Sequence, residues 1–256
     1  MTKNLLGLTV LITRPRPQGE QLAKLIQAEG GHSFVWPCLE IVPSPSLKHI
    51  SDSVRKIDQN GLFVFVSPNA VAYTFSALNQ AEKQRLQHSP LIAIGEGTAK
   101  ALNEQGCLQV AYPERAYSEG LLNLPQLHNV EGKSILIFRG QSGRELIFDS
   151  LLEKKAKVEY VEVYHRQKPD TDPQKLIQAW RNKAFDIVIA TSSEGLQNLI
   201  EMLGEQSALL KKTTLTVMNE KMLHLAKQVE SRPLWIDKAS NSAILDYLKR
   251  FLHERL

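Results

Sequence analysis

Short apolar runs rich in Val, Ile and Phe recur along the chain, separated by amphipathic stretches long enough to form helices. This alternation of strand-like and helix-like periods predicts βαβ units and parallel sheet, hence an α/β fold. The first strand is read at 8–13. The helix after it follows from Gln18, Leu22, Leu25 and Ile26, which recur at helical spacing before the stop signal Gly30-Gly31. Further strands are predicted at 34–36, 62–66, 91–94, 134–138, 158–163, 186–190 and 214–217, enough for two sheets.

The pattern is written twice. Gly7-Leu-Thr-Val-Leu-Ile-Thr-Arg14 aligns with Gly132-Lys-Ser-Ile-Leu-Ile-Phe-Arg139 at an offset of 125, and the segment from Val66 to Val71 aligns with that from Thr191 to Leu196 at the same offset. At an offset of 124, Ile94-Gly95-Glu96 matches Met218-Asn219-Glu220, and the segment opening at Ser118 matches the one opening at Ser242. Each match is weak alone, but ordered matches at nearly constant spacing indicate two copies of one α/β unit. Pro37, Pro43 and Pro45 follow the second strand of the first copy, and Pro169 and Pro173 follow its counterpart. Proline fixes φ and disfavours helix before it, so these segments read as extended connectors. Tandem and crossed pairings of the copies are both compatible with the sequence.

The chain's 256 residues are sufficient for one or two domains, and 43% apolar with 23% charged residues is the balance of an ordinary folded protein. A net charge of +4, with no dominant basic tract, suits an anionic small molecule better than duplex nucleic acid. Cys38 and Cys107 are too far apart for a zinc-ligand spacing and fit a reducing compartment, so a cytoplasmic setting is expected. No signal-peptide pattern opens the chain, and no apolar run approaches the ~20 residues of a membrane helix.

In open α/β sheets ligands bind beyond the carboxyl ends of the strands, which directs attention to the residues there. Arg14 and Arg139 end equivalent strands, where an arginine can grip a carboxylate or phosphate bidentately, or serve as an ion pair or helix cap. Ser67-Pro68-Asn69 and Thr191-Ser192-Ser193 lie between strand and helix, where their side chains suit N-caps and the adjoining backbone N–H groups suit an anion. The run from Ile94 to Lys100 has a glycine turn, but Lys100 stands where the dinucleotide fingerprint needs its third glycine. Gly140 to Arg144 lacks the Lys-Ser/Thr of a P-loop. Tyr164-His165-Arg166 ends a strand just before the second connector, and a tyrosine there is a hydrogen-bond donor or weak acid, or an aromatic with a satisfied hydroxyl. Scattered histidines and the lack of an acidic cluster give no metal site, so chemistry without metal or cofactor is expected. Trp36, Trp180 and Trp235 are read as core.

Together, Thr13-Arg14-Pro15, Ser67-Pro68-Asn69-Ala70-Val71, the run from Ile94 to Ala99, Arg139-Gly140, Tyr164-His165-Arg166 and Thr191-Ser192-Ser193 resemble the uroporphyrinogen-III synthase family over essentially the whole chain. The resemblance implies two flavodoxin-like parallel-sheet domains joined by two extended linkers, with the active cleft between them. It implies the crossed pairing: residues 1–37 with 170–256 in one domain, 46–163 in the other, and linkers at 38–45 and 164–169.

The implied reaction is cofactor-free closure of the linear tetrapyrrole hydroxymethylbilane to uroporphyrinogen III, with inversion of ring D and loss of water, by a cytoplasmic monomer that engages neither nucleic acid nor membrane. On this resemblance Tyr164 is the catalytic residue, bonding the departing hydroxyl. Arg14, Ser67, Asn69, Thr98, Ser118, Arg139, Gly140, Thr191 and Ser192 bind the substrate's carboxylates. The second copy departs from the family at Asn219-Glu220-Lys221-Met222-Leu223, so no binding role passes to Lys221 or Met222. Two readings from other classes remain: a two-lobed small-molecule binding or sensor module, and a glycosyltransferase-like enzyme, whose diphosphate-binding glycine turn this sequence supplies poorly.

Overall fold

A computed structural model describes residues 4–58, 60–141, 143, 145–182, 185–211 and 213–254. Ser142 and Arg144 of the glycine-bearing segment after Arg139 lie outside the described residues. The chain divides into two compact units, Met1–Glu40 with Gln167–Leu256 and Ile41–Arg166.

In the first unit, β1 (Thr9–Ile12), α1 (Gln18–Ala28) and β2 (His32–Val35) come from the N-terminal part of the chain. The later part supplies α8 (Gln174–Asn182), β9 (Ile187–Ile189), α9 (Ser193–Leu203), β10 (Thr214–Val217), α10 (Glu220–Gln228), β11 (Arg232–Trp235) and α11 (Asn241–His253). Among the described residues they form a five-stranded sheet of order β11-β10-β9-β1-β2 with parallel pairing. Side chains alternate across it: Val10, Ile12, Ile187 and Ile189 enter one apolar cluster, and Leu11, Val188, Leu215 and Val217 the other. Burial on both faces explains why these strands read as continuous apolar runs.

The second unit holds β3 (Glu40–Pro43), α2 (Leu47–Lys56), β4 (Leu62–Phe65), α3 (Pro68–Ala77), α4 (Gln80–Gln87), β5 (Leu91–Ala93) and α5 (Glu96–Glu104). It continues with β6 (Val110–Ala111), α6 (Ser118–Leu122), β7 (Ser134–Gly140), α7 (Leu146–Glu153) and β8 (Lys157–Gln167). Its sheet runs β3-β8-β7-β4-β5-β6. Apart from β3 at the edge, this is the first unit's order under the offset read from the sequence, with β7 and β8 standing for β1 and β2 and with β4, β5 and β6 standing for β9, β10 and β11. Even the register repeats, Thr9 facing His32 as Ser134 faces Lys157. Each unit therefore combines the leading strands of one sequence copy with the trailing strands of the other: the copies are crossed.

Three strands escape the sequence pattern. Pro43 in β3 and Pro233 in β11 read as breakers, but both strands are sheet edges, where a missing N–H is tolerated; β6 spans two residues, too short for a period. The expected connectors are also more regular than predicted. Within 38–45 lies β3, and Tyr164 to Gln167 of 164–169 continue β8, held by bonds such as Ser44 N–H to the Val163 carbonyl at 3.0 Å and Gln141 N–H to the Tyr164 carbonyl at 3.0 Å. Trp36 and Trp180 are buried, but Trp235 is 46% exposed on edge strand β11, its indole N–H donating to Asp237 at 3.1 Å.

Candidate active site

The carboxyl ends of β4, β7 and β8 in the second unit surround a cavity of about 250 Å³. Ser67, Ser118, Arg139, Gly140, Tyr160, Tyr164 and Arg166 supply its polar lining, against the apolar Val66, Ile94, Ile137 and Ile147. Five of these seven, all but Tyr160 and Arg166, are candidates from the sequence.

Ser67 follows β4 in extended conformation and caps α3, its Oγ accepting from Ala70 N–H at 3.0 Å, with Pro68 fitting the first helical position. The same Oγ is 3.2 Å from the Tyr164 hydroxyl. Tyr164 is 6% exposed, and its ring lies 5.7 Å from that of Tyr73. Burial, then the neighbouring Tyr164, raises the Tyr73 pKa. Gly140 is what lets Tyr164 sit there, because a Cβ at Gly140 would come within 2.6 Å of the tyrosine ring. A register shift between Arg139 and Gly140 breaks the β7–β8 ladder here, a bulge that re-aims the side chains after it.

Arg139 is 5% exposed. Its Nε–H donates to the Gly140 carbonyl at 3.1 Å, Nη1 meets Glu145 at 3.1 Å, and the guanidinium carbon lies 4.2 Å from the centroid of the Tyr160 ring. Hydrogen bonding to Tyr160 and then to Arg139 holds Glu145 below the usual carboxylate range, and burial followed by Glu145 pushes the Tyr160 hydroxyl up to about 12.

Two candidates of the second unit stand apart from the cavity lining. Asn69 is the second residue of α3, half-buried, and Thr98 is buried in the first turn of α5. In the first unit, Arg14 beyond β1 is half-buried, and desolvation lowers its pKa without threatening its charge. Its Nη1 donates to Asn241 Oδ1 at 2.6 Å. Ser192 caps α9 by accepting from Gly195 N–H at 3.1 Å, with Thr191 before it. The divergent turn also makes a cap: Asn219 accepts from Met222 N–H at 2.9 Å at the start of α10, while the Met222 side chain is fully buried. Sequence reasoning missed Tyr160 and Glu145. The signal for Glu145 was its spacing of six from a strand-end arginine; Tyr160 had none beyond the alternation of β8. Among the described residues no three His, Cys, Asp or Glu side chains are placed to hold a metal ion.

These features define a class: a crossed duplication of one α/β unit, with capping hydroxyls and arginines gathered at the strand ends of each copy. A family model for uroporphyrinogen-III synthase (HemD) matches residues 20–242, and the chain belongs to that family. Uroporphyrinogen-III synthases of Escherichia coli and Salmonella typhimurium are each 32% identical over 246 residues, covering 94% of this chain and all of theirs. Among solved structures, uroporphyrinogen-III synthetase from Helicobacter pylori superposes with a TM-score of 0.61 at 18% identity, covering 95% of this chain and 99% of its own. A mutant uroporphyrinogen III synthase from Thermus thermophilus gives 0.59 at 19% identity, with 97% and 100% covered. At such identities the two structures speak for the fold.

Proposed function

We propose that the chain closes hydroxymethylbilane to uroporphyrinogen III, inverting the terminal ring and releasing water. Membership of the family along nearly the full length carries this reading, and the comparisons do not favour a binding module without turnover. The reaction asks for no strong nucleophile. The electron-rich pyrrole next to the hydroxymethyl group expels its hydroxyl, which leaves as water with a proton, and the resulting electrophile is attacked by the substituted carbon of the terminal ring. The bond from that carbon to the neighbouring bridge then breaks and re-forms at the ring's unsubstituted α-carbon, which loses a proton, so that the ring ends inverted and one water is released overall. The protein's task is to help the hydroxyl leave and to hold a flexible polyanion with its ends close, so positioning supplies much of the rate.

Tyr164 is assigned the first task. At neutral pH a tyrosine donates a hydrogen bond, and one buried beside Ser67 on a cavity wall donates in a setting of reduced dielectric. Ser67, Ser118, Arg139 and the backbone at Gly140 are assigned to substrate carboxylates, as are Asn69 and Thr98 at the starts of their helices. Arg14, Thr191 and Ser192, with the N-terminus of α9, are assigned the same partners in the first unit. The reading extends to a cytosolic monomer without cofactor. Cys38 and Cys107 are buried free thiols, burial raising both and Cys107 to about 11, and no helix among the described residues is long and apolar enough to cross a membrane.

The test is to supply freshly made hydroxymethylbilane and separate the uroporphyrinogen isomers. Spontaneous closure gives type I, so a product dominated by type III supports the reading, and type I at the uncatalysed rate overturns it.

A further inference from the structure

Arg139 is buried while its partner is not: the side chains of Arg139 and Glu145 are 6% and 56% exposed. Glu145 occupies the N-cap position of α7 yet makes no side-chain capping bond to that helix, reaching Arg139 instead. On the same cavity wall the Tyr160 hydroxyl is closed off from solvent without a hydrogen bond of regular geometry. Its ring stacks against Phe148 at 4.6 Å and lies under the Arg139 guanidinium. Gly143 packs closely against the guanidinium, since a Cβ there would lie 3.1 Å from Nη2.

We infer that Arg139 and Tyr160 form a carboxylate seat held in the unliganded protein by Glu145, which acts as a placeholder that a carboxylate of the substrate displaces. The inference rests on the reading of the substrate as a polycarboxylate and adds a seat and a built-in competitor to it. A buried guanidinium left unpaired is strongly unfavourable, so exchanging one carboxylate for another keeps Arg139 neutralised throughout. A half-exposed Glu145 regains hydration on leaving, so little is lost in the exchange. An incoming carboxylate can take up the Tyr160 hydroxyl, which has no hydrogen bond of regular geometry and, like any tyrosine, is protonated at neutral pH. Tyr160 and Glu145 are thus specificity-determining residues: the seat accepts only a group able to outcompete a tethered carboxylate.

The experiment titrates the protein with a stable octacarboxylated porphyrin, followed by quenching of intrinsic fluorescence, with the octamethyl ester of the same porphyrin as the uncharged control. Glu145→Gln and Glu145→Ala are expected to bind the acid about three- to tenfold more tightly than wild type, while Tyr160→Phe and Arg139→Lys bind it more weakly by a similar factor. Ester binding should not respond to any of the four. Thermal melts establish that each variant is folded, and the two Glu145 variants guard against loss of either alone. Acid affinity in both Glu145 variants that is lower than wild type, or unchanged within twofold, overturns the proposal, as does failure of wild type to bind the acid. The isomer assay is read separately: tighter binding by Glu145→Gln in a protein making no type III product keeps the seat and discards the synthase reading, and the converse discards only the seat.

Discussion

Arg14 and Arg139 stand at equivalent strand ends of the duplicated unit, and what surrounds them differs. In the second unit Arg139 is buried, stacked on Tyr160 and paired with Glu145. In the first, the position equivalent to Glu145 is again an acid, Glu20, but it pairs with exposed Arg16, leaving half-buried Arg14 to Asn241. The positions equivalent to Tyr160 and Tyr164 are Val35 and Leu39, and the one equivalent to Gly140 is Pro15. The capping residues are kept: Ser67 and Ser192 close the same turn with the same bond. Duplication has preserved the devices that finish a helix and offer N–H groups to an anion, while the cavity's tyrosine hydroxyls, those of Tyr160 and Tyr164, have collected in one unit. On this reading carboxylate binding falls to both units and assistance to the leaving hydroxyl to the second alone.

The largest effect expected from breaking that asymmetry is at Tyr164. Tyr164→Phe removes one hydroxyl and leaves the ring's packing, so kcat should fall by about a hundredfold, the lower range for loss of a general acid, with the melting temperature nearly unchanged. Isomer-resolved initial rates with a parallel melt check both halves. Next is Gly140→Ala. Its Cβ cannot coexist with the Tyr164 ring, so that ring must shift, and turnover should fall about tenfold with loss of about 1–3 kcal/mol in denaturant unfolding. Smallest and most diagnostic is the serine pair. Ser67→Ala and Ser192→Ala should each cost about 1 kcal/mol of stability through the lost cap. Only Ser67→Ala also removes a neighbour of the Tyr164 hydroxyl and should lower kcat several-fold, whereas Ser192→Ala should appear in KM; equal kcat losses would remove the asymmetry.

How much of this was legible can be followed strand by strand. Seven of the eight strands read from apolar runs are central ones, where a continuous run is unambiguous, while β2 is an edge strand read from Phe34-Val35-Trp36 alone. The offset of 125 is matched in the structure, β1 and β7 holding the same register to their partners. Edge strands β3 and β11 were hidden by prolines that an edge tolerates. At the site, Ser67, Ser118, Arg139, Gly140 and Tyr164 were legible as strand-end and turn residues, since topology alone sends those positions to one rim. Tyr160 was not. Strict alternation along β8 would place Tyr160 and Tyr164 on one face, yet Tyr160 packs with the cluster around Ile137 and Tyr164 with that around Phe138. The extra residue of the bulge opposite Gly140 causes this, and nothing local in the sequence announces it. Glu145 was marked only by its spacing from Arg139, and a partner six residues along depends on the path of the turn between.

The most direct measurement of the division of labour is a single set of initial rates for type III formation over a range of hydroxymethylbilane concentrations, with Tyr164→Phe and Arg14→Ala side by side against wild type. The account predicts that Tyr164→Phe lowers kcat with KM little changed and that Arg14→Ala raises KM with kcat little changed. A loss of kcat in Arg14→Ala equal to that in Tyr164→Phe, or wild-type kcat in Tyr164→Phe, would contradict it.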